Sequence, residues 1–159
     1  MLEIHIARVT VTPDQVRVRG AVEGEGAPRD AADVIIERVR AVLPGLLQHR
    51  CSTGAEHPFE EELPSTEVPH LLEHVALELM AEAGSPRRLR GTTRWLRRPG
   101  GPHAFRISLE YDDDLVCLGA VKEAPRFVRY ILEGGERPAL RDVVVRLAAL
   151  RAVPDVSGD

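Results

Sequence analysis

Between residues 2 and 12 the chain largely alternates apolar with polar, with Leu2, Ile4, Ile6 and Val9 among the apolar positions. A period of two predicts a half-buried strand, and a second strand over 16–18 pairs back on it through the Pro13-Asp14 turn. The pattern breaks at 23–28 (EGEGAP), which reads as a loop. From 31 to 43 the residues Val34, Ile35, Val39 and Val42 recur at helical spacing, with Asp30 as the expected cap and Pro44-Gly45 as the stop. Residues 46–64 follow neither period and hold three consecutive glutamates, Glu60, Glu61 and Glu62.

A second helix follows, capped by Ser65 or Thr66, with Glu67 at its positive end and Pro69 in its first turn, where a missing N–H costs nothing. It runs to about residue 83 and stops at Gly84-Ser85-Pro86. Residues 105–111 alternate again and predict a half-buried strand, 112–114 a turn, and 115–118 a short returning strand. Helices over 123–132 and 139–152, parted by Gly134-Gly135, close the chain. Strands and helices in separate blocks predict an α+β fold. The expectation is one domain over 1–154, an antiparallel sheet covered by helices, with the helix over 66–83 packed on or near the sheet and a disordered tail at 155–159.

Bulk properties narrow the function classes. At 159 residues the chain is one domain long, enough to bury about two thirds of its unfolded surface. A net charge of −4 argues against wholesale attraction to nucleic acid or an anionic membrane. No apolar run approaches the roughly 20 residues that span a bilayer. The N-terminus alternates instead of presenting a signal peptide, so a cytoplasmic location is expected. Cys51 and Cys117 are too few for a secreted framework and are expected to be thiols, each a small buried hydrophobe.

The stretch PHLLEHVALEL then changes the picture. It sets His70, Glu73, His74 and Glu78 among leucines and valines. At about 100° per residue, with His70 at zero, His74 falls near +40°, Glu73 near −60° and Glu78 near +80°, so the four share one arc. Leu71, Leu72, Val75, Ala76 and Leu79 form a complete core stripe opposite. Leu77, Met80 and Ala81 interleave with the polar set, which lacks the lysines and arginines of a solvated surface. Imidazoles and carboxylates in such surroundings need a partner. A divalent metal is one. Histidines at i and i+4 lie about 5–6 Å apart at Cβ, near enough for both rings to reach one zinc. Glu73 beside them is placed to take a proton from water acidified by the metal, in the H-x-x-E-H order of inverzincins. The plainer alternative has the histidines bonded to backbone or carboxylates and Glu73 holding an arginine.

A catalytic zinc keeps three protein ligands and an open position. Glu110, the acidic residue on the strand over 105–111, is a candidate third ligand, with Asp114 and Cys117 as alternatives. Glu78, one turn beyond His74, is a candidate to hold an imidazole from behind.

The runs LPGLLQHRCSTG (43–54), HLLEHVALEL (70–79), GTTR (91–94) and LEYDDD (109–114) resemble the N-terminal domain of cyanophycin synthetase. In full synthetases that domain precedes an ATP-grasp module and a Mur-ligase-like module. This sequence has no G-x-x-x-x-G-K-[ST] phosphate loop and is too short for either, so ATP-driven ligation is not expected. The resemblance implies a metal-dependent hydrolytic site on the HxxEH helix that cleaves the Asp-Arg polymer, matched by His70, Glu73 and His74. It also points to His49 and Cys51 near the metal and to Thr93 and Arg94 as substrate contacts. After the acidic turn the family carries a glycine-, arginine- and tyrosine-rich stretch, whereas this chain has Val116-Cys117-Leu118-Gly119, so contacts made there differ.

Arg87, Arg88, Arg90, Arg94, Arg97 and Arg98 crowd the segment 87–98 around Trp95. Guanidinium with indole can hold single-stranded nucleic acid or an acidic polymer. The simpler expectation is a solvated loop whose arginines pair with Glu60, Glu61 and Glu62, and nucleic acid is not the expected partner of a negative chain. His5, His57 and His103 have no expected role. Two readings result. One is a zinc-dependent hydrolase of amide bonds in a cyanophycin-like or related peptide. The other is a non-catalytic module that holds an acidic polymer or protein partner. An oligomer is compatible with both.

Overall fold

Alternation along the strands decides which side of the sheet must be covered. In the computed structural model, which describes residues 1–50, 58–96 and 103–151, β1 (Glu3–Val11), β2 (Val16–Glu23), β3 (Gly91–Leu96) and β4 (His103–Leu109) form one antiparallel sheet in the order β1-β2-β4-β3. Val16, Val18 and Val22 of β2 and Phe105, Ile107 and Leu109 of β4 are buried on one face. Each side chain so withdrawn from water contributes about 1.5–3 kcal/mol. Helices cover that face. Among α1 (Ala32–Val42), α2 (Phe59–Glu62), α3 (Val68–Glu82), α4 (Asp114–Glu133) and α5 (Leu140–Leu150), α3 lies on β3 and β4, α4 reaches β1 and β2, and α1 and α5 pack against α4. The opposite face, which carries Arg17, Arg19 and Arg94, stays exposed. The α+β expectation is met, with the HxxEH helix on the sheet. No described helix is long and apolar enough to cross a membrane.

Local expectations fare less evenly. The segment 87–98, expected as a loop, contributes the edge strand β3. Residues 115–118 are not a returning strand but the first turns of α4, of which the predicted helix over 123–132 is only the later part. Asp113 explains the start: its carboxylate accepts the Val116 N–H at 3.1 Å and caps the helix. Val116, Cys117, Ala120, Ala124, Phe127 and Ile131 then fall on one buried stripe.

The other two caps also differ. Ala31 and Glu67 occupy the N-cap positions of α1 and α3 without a capping bond from their side chains. Asp30 instead pairs with Arg38 at 2.6 Å, and the Thr66 hydroxyl donates to the Glu62 carbonyl at 2.7 Å. The span 46–64 is less irregular than its sequence suggests, with 3-10 turns at Pro44–Gln48 and Leu63–Ser65 around α2. The expected tail lies outside the described residues.

Candidate metal centre

Helix α3 is buried nearly all round, which is why its polar residues have so few places to go. Leu71, Val75 and Leu79 enter the core on one side, while Glu73, His74 and Glu78 are only 5%, 5% and 0% exposed on the other. His70 is half-buried at the mouth. The Nε2 atoms of His70 and His74 stand 3.0 Å apart, and Glu73 Oε2 lies 3.6 Å from His74 Nε2. His70, Glu73 and His74 thus offer ligand atoms all within 4.8 Å of one another.

This donor set fits a divalent ion of the zinc kind. Two imidazoles on one tetrahedral zinc hold their nitrogens roughly 3.3 Å apart, a few tenths of an ångström from the spacing here.

A hydrogen-bonded relay stands behind the pair. His74 Nδ1 lies 2.9 Å from Nδ1 of His49, and His49 Nε2 lies 2.9 Å from Glu78 Oε1. Arg87 completes the relay, donating to Glu78 at 2.7 and 3.2 Å. One proton assignment satisfies every contact. His49 donates from Nε2 to the carboxylate and accepts at Nδ1, so His74 donates from Nδ1 and keeps its Nε2 lone pair for the metal side.

The charges agree with that assignment. Burial pushes Glu78 upward, but the hydrogen bonds from His49 and Arg87 outweigh it and bring its pKa down to about 2, so it accepts at neutral pH. Burial, reinforced by the neighbouring His49 and His70, lowers His74 to about 3, so its ring stays neutral. Replacing His49 with alanine should weaken zinc binding about 10–100-fold, the usual loss when a ligand histidine loses its partner. Competition against a chromogenic chelator reads this, and unchanged affinity would show that the relay has no part in holding the ion.

Glu73 has different surroundings. Burial raises its pKa, opposed by the Thr93 hydroxyl, which donates to Oε1 at 2.8 Å. That bond leaves Oε2 facing the histidines. The close approach of β3 requires Gly91, where a Cβ would stand 2.8 Å from Glu73 Cγ. Gly45 plays the same part on the other side, since a Cβ there would collide with the Glu78 carboxylate. Phe59, wholly buried, closes one wall by stacking on His74 at 4.1 Å between ring centroids and meeting His70 edge-on at 5.9 Å. Its N–H donates to the His49 carbonyl at 2.9 Å, tying α2 to the relay.

The cluster opens into a cleft of about 1210 Å³ whose walls include Arg50, Arg88, Arg90, Arg94 and Trp95. Trp95 Nε1 donates to Glu67, pinning β3 to the start of α3.

Residues 20–133 match the cyanophycin synthase-like N-terminal domain. The chain belongs to that family. No curated protein matches it. The cyanophycin synthase-like span opens within β2 and closes at the end of α4, so His49, His70, Glu73, His74, Glu78 and Thr93 all lie inside it, while β1 and α5 lie outside.

Not every residue singled out from the sequence reaches this cyanophycin synthase-like centre. Glu110 follows the outward parity of Arg106 and Ser108 on β4, is exposed, and accepts the Arg90 N–H at 2.7 Å, so strand alternation turns it away from α3. Asp114 is exposed in the first turn of α4. Cys117 is buried in the core, where burial pushes its thiol up to about 12. None of the three joins the histidines, and Glu73 is the donor that does. Glu78 holds an imidazole, that of His49 and not that of His74. Cys51 and His57 lie outside the described residues, as do Arg97 and Arg98. Among the described residues, Arg87 takes Glu78 and Glu82, and Glu60 takes Arg40. Phe59 and Arg87 carried no spacing signal, and both come to the site through tertiary packing.

Proposed function

We propose that this cyanophycin synthase-like domain is a zinc-dependent amide hydrolase that acts on a cyanophycin-like or related peptide. The observation that carries the reading is the 3.0 Å approach of the two Nε2 atoms, with the Glu73 carboxylate beside them. His70 and His74 would hold the ion. When bound, zinc supplies Lewis acidity, polarising the amide carbonyl and lowering the pKa of water.

The chain's own residues do the rest. Glu73, kept at raised pKa by burial, takes a proton at Oε2 from the attacking water. The water oxygen bonds to the amide carbon, the C–N bond breaks, and Glu73 returns the proton to the leaving amine. Thr93 fixes the carboxylate through its other oxygen, and Phe59 keeps solvent from the back of His74. Arg94 and its neighbours on the cleft wall would orient the substrate's carboxylates. A cytoplasmic setting, which keeps the Cys117 thiol reduced, belongs to the same reading.

Zinc titrated into the metal-free protein tests it first. At a hundredfold excess over its dissociation constant, zinc should stabilise the fold by about 2.7 kcal/mol, a rise in Tm of roughly 5–10 °C that a chelator reverses. Absence of any shift, together with no cleavage of Asp-Arg peptides, would sink the proposal. The competing reading, a module that binds an acidic partner without cutting it, draws on the exposed arginines. Tight binding without turnover in the zinc-loaded protein would decide for it.

A further inference from the structure

The strand register places four arginines in one row. Arg8 pairs with Arg19, Arg19 with Arg106, and Arg106 with Arg94, so a single cross-strand ladder runs Arg8-Arg19-Arg106-Arg94 over all four strands of the sheet. The neighbours of Arg19 and Arg106 point into the core and Thr93, beside Arg94, reaches Glu73 of α3, which puts the row on the open face. Arg8, Arg19 and Arg94 are exposed and Arg106 is half-exposed.

Strands lie about 4.8 Å apart, so the row is roughly 14 Å long. Like charges directly opposite one another destabilise a sheet. Elsewhere the protein answers its arginines with acids, as at Arg29, Arg38, Arg40, Arg87, Arg126 and Arg151. None of the four in the row has such a partner among the described residues. The flanking rows, Thr10-Arg17-Ser108-Thr92 and His5-Ala21-Ala104-Leu96, contain no carboxylate either. A chain with net charge −4 has thus gathered a row of four arginines on one face, with Glu3, Glu23 and Glu110 only at that face's margins.

We propose that this ladder binds a short acidic peptide segment, its side-chain carboxylates taken up one after another by the guanidinium groups. Guanidinium matches carboxylate in a two-pronged geometry, and an extended peptide of about four residues spans the row. Single-stranded nucleic acid fits less well, because these three rows offer no Phe, Tyr or Trp on which bases stack, and the negative chain repels a long polyanion.

The row also has a direction. Arg94, on the edge strand β3, ends the ladder and lines the cleft that holds His70, Glu73 and His74. An acidic segment lying on the ladder therefore leads over the sheet edge into that cleft. This last step rests on the hydrolase reading, whereas binding to the ladder does not.

The test uses the full chain and a fluorescein-labelled eight-residue oligo-aspartate, followed by anisotropy. Wild type should bind it, with affinity falling steeply between about 50 and about 200 mM salt. The double variant Arg19→Gln/Arg106→Gln should bind at least about tenfold more weakly, and Arg19→Lys/Arg106→Lys, which keeps the charge but loses the two-pronged geometry, should fall between it and wild type. Because the Gln pair removes facing like charges, its Tm should be unchanged or raised. Equal binding by wild type and the Gln pair would overturn the proposal. So would tighter binding of a length-matched oligo-uridine or of polyphosphate. Hydrolysis of a short amide reporter that cannot reach the ladder should be equal in both proteins. Absence of that hydrolysis in wild type would count against the metal site alone.

Discussion

Replacing His74 with alanine should leave the domain folded and nearly free of zinc. Structural zinc sites supply about 10–16 kcal/mol over four ligands, so losing one imidazole should weaken binding at least about a hundredfold. The effect is compounded here, since His74 is also the residue through which His49 and Glu78 act. Truncating a buried ring that stacks on Phe59 opens a cavity and costs about 2–4 kcal/mol on its own. His70→Ala therefore belongs beside it, because His70 is only half-buried and its removal disturbs packing less. Elemental analysis of the purified proteins, with circular dichroism to confirm the fold, gives the answer. Full zinc occupancy in either variant would remove that histidine from the ligand set.

Glu73→Gln should separate binding from chemistry. The amide keeps the shape of the side chain and its bond to Thr93 but cannot take a proton, so hydrolysis of Asp-Arg peptides should fall about 10²- to 10⁴-fold. Zinc content should stay at the wild-type level. Unchanged turnover would strip Glu73 of its role as base. Loss of zinc along with activity would make the carboxylate a ligand instead, an assignment its position among the donor atoms makes worth measuring.

The helix that bears these residues is the most legible part of the sequence. A complete apolar stripe at Leu71, Val75 and Leu79 fixes its inward side, and the remaining arc then has to hold His70, Glu73, His74 and Glu78 together. Elsewhere composition masks period. Gly91, Thr93 and Trp95 alternate with Thr92 and Arg94 as a strand requires, but the surrounding arginines make the segment look like solvated loop. Leu115, Val116, Cys117 and Leu118 are β-forming in isolation, and only the stripe that continues through Ala120, Ala124 and Phe127 shows the helix, with Pro125 obscuring it midway.

Glu110 stands out in the sequence as an acidic residue on a regular strand. That regularity is what turns it to the wrong side, because a period of two places it with Arg106 instead of Leu109. The roles of Phe59 and Arg87 depend on distant segments meeting, information that no local pattern contains.

The packing stripe and the His70-Glu73-His74 cluster occupy opposite arcs of α3, and this bears on how such a domain can change over time. Leu71, Val75 and Leu79 would hold the helix in place even if His70, Glu73 and His74 were exchanged for ordinary helix formers. Reactivity can therefore be lost by drift, a few codons at a time, while the scaffold persists. In any relative that shares this architecture, those three positions would decide whether the proposed chemistry survives, and overall likeness in shape would not.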